Sequence, residues 1–142
     1  MNHEEPNIQE RTLQFAVRIV KLCKFMDEQG GVARVLYSQL IRSGTSIGAN
    51  VREAQSAESD KDFRHKLEIA LKEARETHYW LVVLVASDVI PESKIKSLMR
   101  ESDVIIRVLV SITKKLKDKQ RRIPKNSTFR DNSEHRTPNS EL

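Results

Sequence analysis

Six cations crowd one short run of this chain: Lys114, Lys115, Lys117, Lys119, Arg121 and Arg122, opposed locally only by Asp118. Such a run offers contacts to phosphates. At the C-terminal end of a helix the same charges also suit the helix dipole. Self-association would repeat the run and concentrate its positive field. A formal net charge of +5 and a pI near 9.5 permit RNA, DNA or another acidic partner without demanding one.

The remaining chemistry-bearing residues make weak constellations. A carboxylate-bridged di-metal centre in a helical bundle needs Glu-x-x-His on two helices and a Glu on each of the others. No Glu-x-x-His occurs, and Asp62-x-x-His65 appears once, on a mostly polar face. No metal or other cofactor is therefore expected. Cys23 and His78 offer a nucleophile and a base, but nothing in their spacing orients them. Each reads as a core or interface side chain instead. Arg130 and His135 have the spacing seen in RNases of helical type, yet they fall in a polar tail where no scaffold would hold them. Tyr79-Trp80 has the means to stack a base, but its Leu and Val neighbours favour core and interface. Gly44-x-x-x-Gly48 is no phosphate loop, because no strand precedes it and no Gly-Lys-Ser/Thr follows. No catalytic residue is assigned, and the chain reads as a non-enzyme.

The elements that position these residues are helical. The 142 residues suit one domain, and four glycines and four prolines leave long uninterrupted stretches. A first helix begins near Asn7 and closes at Gly30-Gly31. Its stripe includes Leu13, Ala16, Val17, Val20 and Phe25, widened by Ile19, Leu22, Cys23 and Met26. A second helix spans about 32–59. A break at Ser43–Thr45 is the alternative, but the apolar spacing stays in phase through Ile47 and Val51. A third helix follows the capping pair Ser59-Asp60 and runs to about Ser87. Its core row is Phe63, Leu67, Ala70, Ala74, Thr77, Leu81 and Leu84, with Glu68–Lys72–Glu76 pairing on the wet side. Pro91-Glu92 opens a fourth helix with Ile95, Leu98, Met99, Ser102, Ile105, Ile106, Leu109, Ile112, Thr113 and Leu116 inward. The short turns make neighbours antiparallel. The expected fold is all-α: an antiparallel up-and-down four-helix bundle over 1–120, with a disordered polar tail over 121–142. The acidic N-terminus lacks an apolar leader and no apolar run is long enough to span a bilayer, so a cytoplasmic, membrane-free protein is expected.

Two features exceed what a monomeric bundle needs. Tyr79 to Val85 is apolar nearly all round its helix, as are Val104–Ile106 and Val108–Val110, which points to a homo-oligomer. Within the second helix, Leu36, Leu40, Ile47, Val51 and Ala54 share a face whose other slots hold Ser43, Gly44 and Asn50. Small and polar residues on a seam imply close backbone approach or a register-fixing hydrogen bond.

That same stretch, Gln39-Leu40-x-Arg42-Ser43 followed by Ser46-Ile47-x-Ala49-Asn50 and Glu53, resembles the bacterial four-helix-bundle family also called the 23S rRNA intervening-sequence or S23 family. Gly44 and Gly48 lie within it. Asp62-Phe63, Lys66-Leu67-Glu68-Ile69-Ala70, Glu73, Glu76 and Leu81 resemble the family's third-helix pattern. The resemblance implies an antiparallel bundle assembled as a homopentameric ring, with no established catalytic residues. It also implies a link either to ribosomal RNA insertions or, in a related branch, to accessory proteins that bind a reverse transcriptase and nucleic acid. The expectation is a non-enzymatic oligomer associated with RNA. A protein-interaction adaptor docking a partner such as a reverse transcriptase is the alternative, and a helical RNase ranks behind both.

Overall fold

Asn7 accepts a hydrogen bond from the Glu10 backbone N–H at 2.9 Å and so caps the first helix. The computed structural model describes residues 7–122. They form α1 (Ile8–Gln29), α2 (Gly31–Ala54), α3 (Asp60–Ala86) and α4 (Glu92–Arg121). The tail over 123–142, including Arg130 and His135, lies outside the described residues, as do residues 1–6.

Each turn has a local cause. Gly30 and Gly31 take φ values of +67° and +57°, a left-handed pair that only glycine adopts cheaply. They reverse the chain between α1 and α2. Ser59 Oγ accepts from the Asp62 N–H at 3.0 Å, while Asp62 Oδ2 accepts from the Glu58 N–H at 3.3 Å, a reciprocal cap that starts α3. Between α3 and α4, Asp88 takes φ +57°. The Val89 and Ile90 N–H groups both bond the Leu84 carbonyl, and Ile90 is buried.

The helices pack in cyclic order. Each packs against its two neighbours, α1 closes on α4, and the diagonal pairs α1–α3 and α2–α4 meet only through the core, without close backbone approach. Phe15, Ile19, Met26, Leu40, Ile47, Leu67, Leu81, Leu84, Ile95, Ile105 and Leu109 fill the centre. This is the antiparallel up-and-down bundle that the spacing implied.

Three expectations change. α2 is continuous through Ser43–Thr45 but ends at Ala54, not near Ser59. There the N–H groups of Gln55, Ser56 and Ala57 bond carbonyls only three residues back, and the helix tightens and stops. On α1, Leu13, Val17 and Val20 are 57, 47 and 46% exposed. The buried row is instead Thr12, Phe15, Ile19, Leu22, Cys23 and Met26. Finally, the charges of α3 pair differently: Glu68 meets Arg64 and Glu76 meets Arg42, rather than Lys72.

Candidate functional site

The family-like residues of α2 and α3 meet one another. Arg42 Nη1 lies 3.3 Å from Glu73 Oε2, and its Nη2 hydrogen-bonds Glu76. The Arg42 hydrogen bond holds the Glu76 carboxyl below its ordinary range, and the same bond raises the guanidinium. Beside them and toward the core, Thr77 Oγ1 donates to Ser43 Oγ at 3.0 Å with both side chains fully buried. Near the other end of α2, Glu53 accepts from Lys66 Nζ at 3.4 Å. These pairs lock α2 against α3 in register. Ser46 and Asn50 do not contribute across the seam: Ser46 Oγ bonds the Arg42 carbonyl and Asn50 Nδ2 bonds the Ser46 carbonyl. Of the polar residues expected to fix the register, Ser43 makes the contact across the seam, while Asn50 turns back onto its own helix.

The glycines serve the opposite seam. A Cβ on Gly44 would meet Ile19 Cγ2 at 2.7 Å, and one on Gly48 would meet the Thr12 carbonyl oxygen at 3.2 Å. α1 and α2 therefore approach closely. Ile47, between them, is fully buried. Beside Gly48, Thr45 and Ala49 floor a groove of about 440 Å³ against Leu13 and Ala16, with Glu10 and Arg52 at its rim.

The basic end is built differently. Thr113 is the last buried residue of α4. Beyond it Lys114, Lys115, Lys117, Lys119, Arg121 and Arg122 are all exposed, while Leu116, Asp118 and Gln120 are half-buried. Among the described residues only Lys119 has a carboxylate within reach, Asp60 at 3.8 Å. Charge also continues up the outer face of α4. Lys96, Arg100, Arg107 and Lys114, four, seven and seven residues apart, are exposed and share one side; Arg107 pairs with Asp103 at 2.6 Å. The sequence run showed only the end of this strip, because the other three cations are spaced rather than clustered.

The alternative chemistries find no geometry. Cys23 on α1 and His78 on α3 sit on diagonal helices whose backbones make no close approach. Burial pushes the Cys23 thiol up to about 11, and its Sγ faces the Tyr37 carbonyl at 3.7 Å. His78 Nδ1 lies 2.8 Å from Ser102 Oγ. That hydroxyl also donates to the Met99 carbonyl at 2.8 Å. Ser102 is fully buried, beyond reach of a substrate. Trp80 is half-buried edge-on to Tyr79 at 5.6 Å. Among the described residues no group of three or more His, Cys, Asp or Glu side chains could hold a metal ion. Nor is any described helix long and apolar enough to cross a membrane.

The architecture defines the class: an antiparallel four-helix bundle whose α2 and α3 pair polar side chains across their seam. The family model for the 23S rRNA-intervening sequence protein matches residues 4–111, and the chain belongs to that family. A crystal structure of a protein of unknown function from the S23 ribosomal protein family of Bacteroides thetaiotaomicron is similar. It shares 46% sequence identity, covering 75% of this chain and 98% of that one, with a TM-score of 0.70. No curated protein matches the chain.

Proposed function

We propose that this chain is a non-enzymatic, self-associating cytoplasmic bundle that binds RNA through the exposed cationic end of α4. The observation that carries the reading is the set Lys114, Lys115, Lys117, Lys119, Arg121 and Arg122, all solvent-facing with one carboxylate among them. Phosphates are the partners such a surface lacks. The family's name, which ties it to the intervening sequence of 23S rRNA, supports RNA over other acidic partners. The test is a salt titration of binding to a structured RNA. Affinity falls as salt rises, and Lys114→Gln lowers the steepness of that dependence by about one. Absence of binding at low ionic strength refutes the reading.

Self-association rests on two exposed apolar strips. One is Leu13, Val17 and Val20 on α1; the other is Tyr79 and Val82 on α3. Because α1 and α3 are diagonal, the strips face opposite sides of the bundle. Unlike faces join head to tail, an arrangement that forms a ring where the rotation between copies closes and a filament where it does not. Five subunits is the number the family resemblance implies. Docking of a protein partner on either strip would instead appear as a stoichiometric complex that survives nuclease.

A further inference from the structure

Far from the basic end, α1 and α4 leave a second cleft of about 330 Å³ lined by Arg18, Lys21, Leu22, Phe25, Lys94 and Leu98. Its floor is apolar: Leu22 and Leu98 are each 6% exposed, and half-buried Phe25 packs on the core. Its rim is wholly cationic. Arg18 donates to Ser97 Oγ at 2.7 Å, and neither it, Lys21 nor Lys94 has a carboxylate within 4 Å among the described residues. Lys94 Nζ instead rests 3.8 Å over the Phe25 ring, the place a lone cation takes when no anion is offered. The lysine stem is exposed and flexible, so it can swing to an anion and uncover the ring.

We infer that this cleft is a nucleotide subsite: an unpaired nucleobase lies on Phe25, Leu22 and Leu98 while its phosphate is held by Arg18, Lys21 and Lys94. A planar apolar group carrying an anion matches both parts of the cleft at once. A bare phosphate uses only the rim, and the volume is too small for a helix. Lys94 and Lys115 are three heptads apart and share a side of α4, separated by about 30 Å, so one RNA strand can reach both. The inference rests on the RNA reading for its source of nucleotide, but the same chemistry would accept a free nucleotide.

Four measurements at one low ionic strength test it: binding of adenylate 12-mer RNA, of that strand paired with uridylate 12-mer, of AMP, and of an octaglutamate peptide. The full chain and Phe25→Leu are compared, after circular dichroism shows that both fold alike; Lys21→Gln serves as a second variant. The single strand is expected to bind more tightly than the duplex, whose bases are already stacked. Phe25→Leu should cost the single strand about tenfold and leave the duplex unchanged, and Lys21→Gln should weaken the single strand and AMP together. Saturable AMP binding lost in Phe25→Leu assigns a free nucleotide as well. Equal binding of strand and duplex, with Phe25→Leu neutral, overturns the subsite. So does octaglutamate displacing AMP from both proteins equally. If neither RNA binds, the RNA reading fails, and the cleft stands or falls on AMP alone.

Discussion

A methyl group at position 44 would sit 2.7 Å from Ile19 Cγ2 and 2.9 Å from its Cγ1. Isoleucine is branched and stiff at χ1, so it cannot swing clear. Alanine would gain roughly 1 kcal/mol of helix propensity but pay for overpacking by about 1–3 kcal/mol. Gly44→Ala is thus expected to lower the urea midpoint, and Gly44→Leu to lower it much further. An unchanged midpoint for both would refute the close approach. Cys23 gives a second residue-scale prediction. Burial raises its thiol from the ordinary 9.0 to about 11. A raised folded value means that its contribution is complete below pH 9 and is lost as pH climbs toward 11. At neutral pH the native thiol should resist Ellman's reagent until the protein unfolds. Rapid labelling of native protein would contradict the buried placement.

Among elements, α2 is held from both sides by different means. Toward α1 it uses absence of side chain, at Gly44 and Gly48. Toward α3 it uses Arg42, Ser43 and Glu53. The helical spacing was readable because apolar residues recur in phase. Which seam each small residue served was not, since a pattern of faces does not name the neighbour. α1 shows the limit most clearly: Leu13, Val17 and Val20 are as apolar as the core row, and only packing decides which strip turns inward. α4 runs the other way, outlasting its core. Amide protection against hydrogen exchange is expected to fall sharply beyond Thr113, the last buried position, while the preceding turns exchange slowly. Uniform protection to Arg121 in the free protein would contradict a basic end that outlasts the core.

For the whole molecule, exposed apolar strips on opposite sides predict an assembly. Val17, 47% exposed, can take a charge without disturbing the bundle core. Val17→Glu should therefore keep its helical signal and melt within about 0.5 kcal/mol of the parent monomer fold. Light scattering should show the assembly reduced to single chains. A parent chain that is already monomeric refutes the ring. On the proposed reading each copy of the assembly repeats the six cations, so the monomeric variant should bind RNA more weakly at equal chain concentration.

The sequence by itself determined the four helices, the Gly30-Gly31 turn, the Ser59 cap, the family, and the cationic end of α4. All of these depend on residues near one another along the chain, where hydrogen bonding, glycine conformations and periodicity act locally. Tertiary structure alone decided that Arg42 meets Glu73 and Glu76, that Asn50 turns back on its own helix, and that α1 leaves an apolar strip in solvent. It alone brought Arg18, Lys21 and Phe25 of α1 to Lys94 of α4 around one cleft. The physical reason is that a helix offers several faces at similar cost, and the choice among them is made only when neighbouring helices compete to bury the same core.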